Sequence, residues 1–173
     1  MTLTRPQDVL VLLKLVASPD SAATYARLAD EVGLSVSQVY RSLERAEAAR
    51  LYTAARRAPI RAALLDFVLH GVRYAYPAAH GPRTRGMPTS VAAPPLRDHF
   101  AMGAAEGEVP VWPDPEGLVV GYAVDPLHAV APRASRRDPA LYELLALVDA
   151  LREGRTRERA LAADALRSRI DHP

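Results

Sequence analysis

Between Tyr25 and Arg45 the apolar positions of the chain follow the spacing of two short helices joined by a tight turn. Leu28, Ala29 and Val32 recur at helical intervals, so they lie on one face of the first helix. Gly33 is expected to end that helix, because glycine adopts the left-handed backbone of a helix terminus without steric cost. The pattern therefore predicts a helix, a turn and a second helix.

The second helix is predicted to begin after Ser35, which can cap it and pair with Gln38 in a capping box. Val36, Val39 and Leu43 direct this helix back onto the first. The opposite face carries side chains that can hydrogen-bond base edges and phosphates, namely Ser37, Gln38, Arg41, Ser42, Glu44 and Arg45. These are the features of a helix-turn-helix. The alternative interpretation is a helix pair whose polar face contacts another protein.

The Ala29, Gly33 and Val39 pattern within YARLADEVGLSVSQVYRSLER resembles the winged-helix transcription regulators of bacteria, of the MarR, IclR or ArsR kind. The resemblance covers roughly residues 5–57. It implies a homodimer that binds a pseudo-palindromic operator in double-stranded DNA. The segment from Thr53 to Ala58 is brief and contains no Gly, so the β-hairpin wing of that family is expected to be short or absent.

The rest of the chain is expected to form further helices and a small sheet. An apolar helix should end near Ala17, another should run from Ile60 to Gly71, and Asp138 should cap the first helix of a C-terminal hairpin. Three strands are predicted at Val72–Tyr76, Val109–Trp112 and Leu118–Val124, with Tyr74, Tyr76 and Trp112 in their core. The intervening AAHGPRTRGMPTSVAAPP is predicted to be a long loop, and Ala131–Arg137 a basic linker.

The expected fold class is mainly α, of the α+β type. We predict a helix-turn-helix domain over residues 1–71 and a small sheet with a Gly/Pro-rich loop over residues 72–130. Residues 131–173 are predicted to form a helical hairpin that serves in dimerisation or partner binding.

Composition and charge narrow the classes of function. The chain has no Cys, which excludes disulfides and thiolate metal sites and is typical of the reducing cytoplasm, where we expect the protein to lie. No apolar stretch is long enough to span a membrane. Up to Arg85 there are twelve Lys and Arg residues against seven Asp and Glu, whereas from Gly86 onward there are ten against thirteen. A polyanion would therefore be attracted to the N-terminal half.

The predicted DNA contacts fall into two groups. Ser37, Gln38 and Arg41 are predicted to read base edges, and Arg41 suits a guanine best. Phosphate contacts are predicted for Arg27, Ser35, Arg45, Arg56 and Arg57. For Arg56 and Arg57 an ordinary solvated pair of charges remains the alternative.

The remaining candidates are an anion-binding loop, a metal site and a catalytic site. Arg83 and Arg85 lie between glycines and could hold an anion or a partner, although a solvent-exposed loop is the alternative. The scattered histidines do not have the spacing of metal ligands, so no metal or other cofactor is predicted. No catalytic motif supports an enzyme.

The function expected from the sequence is sequence-specific binding of double-stranded DNA by a transcription regulator, more specifically a repressor. A second hypothesis is an antitoxin or adaptor that binds a protein partner from the same operon and autoregulates through its helix-turn-helix.

Overall fold

The computed structural model describes residues 4–100 and 109–171, and in this part of the chain the fold is mixed α and β. The N-terminal elements are α1 (Pro6–Ala17), a 3-10 turn (Pro19–Ala23), α2 (Tyr25–Val32), α3 (Val36–Ala48), β1 (Tyr52–Thr53), β2 (Ala58–Pro59), α4 (Arg61–His70) and α5 (Val72–Ala75). They are followed by β3 (His80–Pro88), 3-10 turns at Ser90–Ala92 and Arg97–His99, β4 (Pro110–Pro113), β5 (Val119–Val124), α6 (Ala131–Arg137), α7 (Pro139–Glu153) and α8 (Thr156–Ile170).

Helix α1 is the centre of the hydrophobic core. Its residues from Val9 to Leu13 are fully buried, because the helix contacts α3 on one side and α7 on the other. The prediction of an apolar helix that ends near Ala17 is confirmed. A single cluster of buried side chains joins residues of the N-terminal helices to residues of α7 and α8.

The segment predicted as a strand at Val72–Tyr76 is helical, so that prediction is wrong. Gly71 has φ −107° and ψ −40°, which lets α5 follow α4 directly. The alternation that suggested a strand has another cause, since Val72 is buried in the core whereas Tyr74 is 74% exposed. Tyr76 donates its hydroxyl proton to Thr4 Oγ1 at 2.9 Å instead of packing in a sheet.

The third strand of the small sheet lies where a loop was predicted. Strand β3 pairs antiparallel with both β4 and β5, while β4 and β5 pair in parallel, so the three strands close on one another. Gly86 faces the backbone of β4 so closely that a Cβ there would collide with the Trp112 carbonyl. Pro82 lies at a register shift between His80 and Arg83. Gly86 marks a close backbone approach and Pro82 an irregularity within a strand. The Gly and Pro content of this segment therefore led to the wrong prediction of a loop.

A buried carboxylate attaches this sheet to α7. Asp149 Oδ2 accepts hydrogen bonds from Thr89 Oγ1 at 2.7 Å and from Trp112 Nε1 at 2.5 Å, and its Oδ1 accepts one from Arg152 at 2.6 Å. Burial raises the pKa of Asp149, and these three donors oppose that rise. A fully buried carboxylate is tolerated when donors surround it in this way.

The C-terminal hairpin is confirmed, and the predicted linker before it is wrong. Asp138 caps α7 by accepting the Leu141 N–H at 3.1 Å, and Gly154 follows the end of that helix. Residues Ala131–Arg137 form helix α6, with Pro132 in its first turn, where a missing N–H costs little. This helix contacts α2 and α7.

No helix in the described ranges is both long enough and apolar enough to cross a lipid bilayer.

Candidate nucleic-acid interface

The turn between α2 and α3 has the local geometry expected from the sequence. Gly33 adopts φ +79°, and its N–H donates to Ala29 O at 2.9 Å, which ends α2. Ser35 Oγ accepts the Gln38 N–H at 3.2 Å, and Gln38 Oε1 accepts the Ser35 N–H at 2.9 Å. This reciprocal capping box starts α3 at Val36, three residues after Gly33.

Helix α3 has a buried side and an exposed side. Val39, Ser42, Leu43 and Ala46 are buried against the rest of the protein. The exposed residues in its first three turns are Val36, Ser37, Gln38, Tyr40, Arg41 and Glu44. All three predicted base-reading residues therefore lie on the exposed side. The Arg41 side chain is exposed, and it makes no ion pair or hydrogen bond with the part of the chain that the structure describes.

The predicted phosphate contact Arg45 has a different role. Its Nε and Nη2 donate to the two carboxylate oxygens of Asp8 at 2.9 and 2.6 Å, and Nη2 also reaches Ser42 Oγ at 3.3 Å. The Arg45 side chain is only 14% exposed and that of Asp8 is fully buried. Hydrogen bonding to Asp8 raises the pKa of Arg45. We therefore assign Arg45 to the α1–α3 interface and remove it from the candidate DNA contacts, and buried Ser42 is removed with it.

Arg27 and Ser35 remain at the surface. Arg27 Nε donates to Glu31 Oε1 at 2.8 Å, and its side chain is 52% exposed, so part of the guanidinium faces outward near the start of α2. The Glu31 carboxylate raises the pKa of Arg27 through this hydrogen bond. Ser35 Oγ is shared between the cap of α3 and a contact with Ser37 Oγ at 3.1 Å.

The short hairpin that follows α3 carries Arg56 and Arg57 at its tip. Its two strands pair only through Tyr52 with Pro59 and through Thr53 with Ala58. The Ala54 N–H donates to Glu47 Oε1 at 2.9 Å, which attaches the tip to the end of α3. Both arginines are exposed, and Arg57 has φ +49°.

Two ring contacts connect this hairpin to the exposed side of α3. The Arg57 guanidinium carbon lies 5.3 Å from the centre of the Tyr25 ring. Tyr25 meets Tyr40 edge to face with 5.9 Å between ring centres. The hairpin tip, the first residue of α2 and the exposed side of α3 consequently form one continuous surface, which we call the α3–hairpin surface.

Two features of this surface were missed by sequence reasoning. Tyr25 was expected only as part of the first helix, yet it links Arg57 to Tyr40. Helix α6, predicted as a linker, places exposed Arg133 beside the turn, because a Cβ on Gly33 would lie 4.0 Å from Arg133 Cδ. Arg137 of the same helix donates to Asp30 O at 2.6 Å and to Asp30 Oδ2 at 2.9 Å. The basic composition of residues 131–137 indicated a positively charged segment that includes Arg133. Nothing in the sequence indicated that Arg133 lies beside Gly33.

The predicted anion loop is part of a sheet. Arg83 and Arg85 lie on β3 directly across from Tyr122 and Val120 of β5, on one face of the pair. Arg85 Nη1 donates to Gly117 O at 3.4 Å. They do not form the compact anion-binding loop that their glycine neighbours suggested.

No metal centre was predicted, and within residues 4–100 and 109–171 no group of three or more His, Cys, Asp or Glu side chains is placed to hold a metal ion. Among the histidines, His80 Nε2 lies 2.8 Å from Glu153 Oε2, and His128 is half-buried, with its pKa lowered by burial.

Comparisons with known proteins place the chain in no established group. No family model matches the sequence, no curated protein matches it, and no solved structure matches the fold.

Proposed function

We propose that the protein is a DNA-binding transcription regulator whose N-terminal part is a winged helix with a reduced wing, formed by β1 and β2. The observation that carries this proposal is the continuity of the α3–hairpin surface, which joins an exposed polar helix face to the two arginines of a hairpin. An exposed helix of this size fits the major groove of B-DNA, and a flanking hairpin then lies along the phosphate backbone.

The residues of this surface divide into base readers and phosphate contacts. Arg41 has uncommitted donors and is suited to the paired acceptors of a guanine. Gln38 uses its side-chain oxygen in the cap, so its NH₂ group is the part that faces a base edge. Ser37 completes the reading set. The phosphate contacts are Arg27, Ser35, Arg56 and Arg57, to which the position of Arg133 beside the turn adds one more residue.

The mode of action we propose is repression by a homodimer. Two copies of α3 would enter successive major grooves of a pseudo-palindromic operator, with half-sites about one helical turn apart. Occupation of such a site would block access to an overlapping promoter.

Selection of DNA by the purified protein tests this proposal. Sheared genomic DNA or a random duplex library is captured at two salt concentrations, and the bound fragments are sequenced. We expect a short inverted repeat to be enriched at both concentrations. Enrichment of no sequence at either concentration would contradict the proposal, since a specific reader must discriminate among duplexes.

A protein-interaction function is the second candidate, and exposed apolar side chains favour it. Leu118 is 92% exposed and Val120 is 41% exposed, and Val120 lies opposite Arg85 on the sheet. An adaptor or antitoxin could present this sheet to a partner encoded in the same operon, while the α3–hairpin surface autoregulates. Co-purification of a stoichiometric partner from the native host would favour this candidate, and loss of that partner in Leu118→Ser would localise the contact.

A further inference from the structure

A cavity of about 400 Å³ lies where the end of α1 meets the first turns of α4 and α7 and the last turn of α8, and no residue of the α3–hairpin surface lines it. Its walls are mainly apolar and come from Val16, Ala17, Pro19, Ala140 and Leu144. This volume falls in the range of about 300–1,000 Å³ that is typical of small-molecule sites. Such apolar walls can contact the hydrocarbon part of a small ligand.

Three of the lining side chains are charged, namely Arg61, Glu143 and Arg169, and we call these three residues the rim. Arg169 donates through Nε and Nη2 to a single oxygen of Glu143, at 3.0 and 2.8 Å. Arg61 Nη1 donates to Ile170 O at 2.8 Å, and Arg169 Nη1 also donates to Ala165 O at 3.2 Å. The two guanidinium groups and the one carboxylate among the lining residues leave the rim with an excess of one positive charge.

Both guanidinium groups are held in place before any ligand arrives. Their hydrogen bonds to carbonyl oxygens of α8 fix them at the rim, and fixed groups lose less conformational freedom on binding. A guanidinium presents parallel N–H groups that match the two oxygens of a carboxylate. Glu143 satisfies Arg169 through one oxygen only, and no carboxylate contacts Arg61 in the described part of the chain.

We propose that this cavity binds a small monocarboxylate with an apolar body. The hydrocarbon part contacts the apolar walls, and the carboxylate takes the excess positive charge of Arg61 and Arg169. An amine of the same length meets like charge at the rim, and a neutral amide lacks the ion pair. This inference goes beyond the proposed function and does not depend on DNA binding, since the ligand is detected directly.

Isothermal titration calorimetry with octanoate, octanamide and octylamine on the full chain tests the proposed selectivity. We expect octanoate to bind at least about tenfold more tightly than octanamide, as one charge-assisted interaction at the rim distinguishes them. Octylamine should give no measurable heat. Equal affinity for the three probes, or no binding of octanoate at millimolar concentration, would overturn the proposal.

Substitutions then locate the site. Ala140→Phe should fill the cavity and abolish octanoate binding, whereas Ala160→Phe, at an exposed position of α8 outside the cavity, should leave it unchanged. Arg61→Gln and Arg169→Gln should each weaken octanoate binding about tenfold, and Arg167→Gln, on the same helix but outside the rim, should not. Octanoate affinity that is unchanged in Ala140→Phe or in both rim variants would place the ligand elsewhere and overturn the proposal.

Two further outcomes are decisive as well. If Ala140→Phe does not fold, two measurements still test the proposal. They are the comparison of the three probes on the unmodified protein and the octanoate affinity of the two rim variants. If the unmodified protein is a dimer that binds no octanoate, and Ala140→Phe makes it monomeric in light scattering, a second copy covers the cavity and the proposal is wrong.

Discussion

Arg45 and Asp8 form a two-pronged ion pair between α3 and α1, with Nη2 2.6 Å from Oδ1 and Nε 2.9 Å from Oδ2. The Asp8 carboxylate also accepts the Arg5 N–H at 2.8 Å at the start of α1. This pair fixes the angle at which α3 leaves the core, and so the direction in which its exposed side faces.

Removal of one partner of this pair should destabilise the fold. In Arg45→Met the buried Asp8 carboxylate loses its counter-charge, and we expect the free energy of unfolding to fall by about 3–5 kcal/mol. The double variant Asp8→Leu/Arg45→Met should recover a large part of the loss, since no unpaired charge remains. Urea denaturation followed by Trp112 fluorescence measures both variants. Unchanged stability in Arg45→Met would contradict the structural role assigned to Arg45.

Arg41 is the proposed base reader that a single substitution can test. Arg41→Ala should weaken binding to the selected operator by about 1–3 kcal/mol and relax the preference at one base pair. Fluorescence anisotropy with the operator and its single-base variants measures both effects. Arg167→Ala, at an exposed position of α8, is the matched control and should bind like the unmodified protein. Retention of full affinity and full specificity in Arg41→Ala would remove Arg41 from the reading set.

Arg57 should act on phosphate instead of on bases. We expect Arg57→Ala to weaken all duplexes to a similar extent and to reduce the slope of log K against log salt by about one. Titrations at several salt concentrations with operator and scrambled duplexes measure the slope. Tyr25→Phe keeps the ring beneath Arg57 and should leave the slope unchanged. A change in base preference without a change in slope would argue against a phosphate contact.

Arg133 tests whether α6 extends the interface. If the turn beside it approaches DNA, Arg133→Ala should lower affinity for operator and scrambled duplexes alike, with a smaller salt slope than the unmodified protein. Arg136→Ala is a control on the same helix, since Arg136 is already paired with Asp114 and Glu116. An identical response to salt in Arg133→Ala and in the unmodified protein would confine the interface to α2, α3 and the hairpin.

The stability of the fold should depend on pH through Asp138. Burial acts to raise the pKa of Asp138, but hydrogen bonds from Lys14, the Leu141 N–H and Ser18 together hold it below its usual value. A carboxyl with a lowered folded-state pKa stabilises the fold fully above its unfolded pKa of about 3.9, and this contribution is lost as pH falls through the folded pKa.

Asp138→Asn should therefore be less stable than the unmodified protein at pH 7, by about 1–3 kcal/mol. The difference should shrink as the pH falls below about 3.9, because the carboxyl is protonated first in the unfolded state and only at a lower pH in the folded state. Asp98→Asn changes a carboxylate that is 86% exposed and serves as the control, with no expected difference at either pH. Denaturation curves at neutral and acidic pH provide the comparison. A constant difference across this range would exclude the assigned role of the charge.

The parts of the fold that sequence predicted well are those that neighbouring residues determine. Gly33 and the pair Ser35 and Gln38 act within five positions of one another, so the turn and the start of α3 follow from local chemistry. The course of β3 is different, because Gly86 is required by the backbone of β4, far away in the sequence. Helix α6 likewise depends on its contacts with α2 and α7.

The same distinction, between contacts of sequence neighbours and contacts of distant residues, applies to the candidate site. The exposed positions of Ser37, Gln38 and Arg41 follow from helical periodicity once the buried residues are known. The partner of Arg45 lies 37 residues away in Asp8, which no local pattern indicates. Tyr25 and Arg57 are also brought together only by the tertiary fold.

Site-directed DNA cleavage is the most direct test of the central claim that α3 enters the major groove. Because the chain has no natural Cys, a single introduced Cys is the only thiol that a chelate can label. Ser37→Cys carrying an iron chelate is bound to the selected operator, and strand cleavage is mapped by sequencing. We predict cuts confined to the major groove of each half-site, and none from a chelate at Ala160→Cys on α8. The same cutting pattern from both positions, or no cleavage of bound operator from position 37, would show that α3 does not enter the groove.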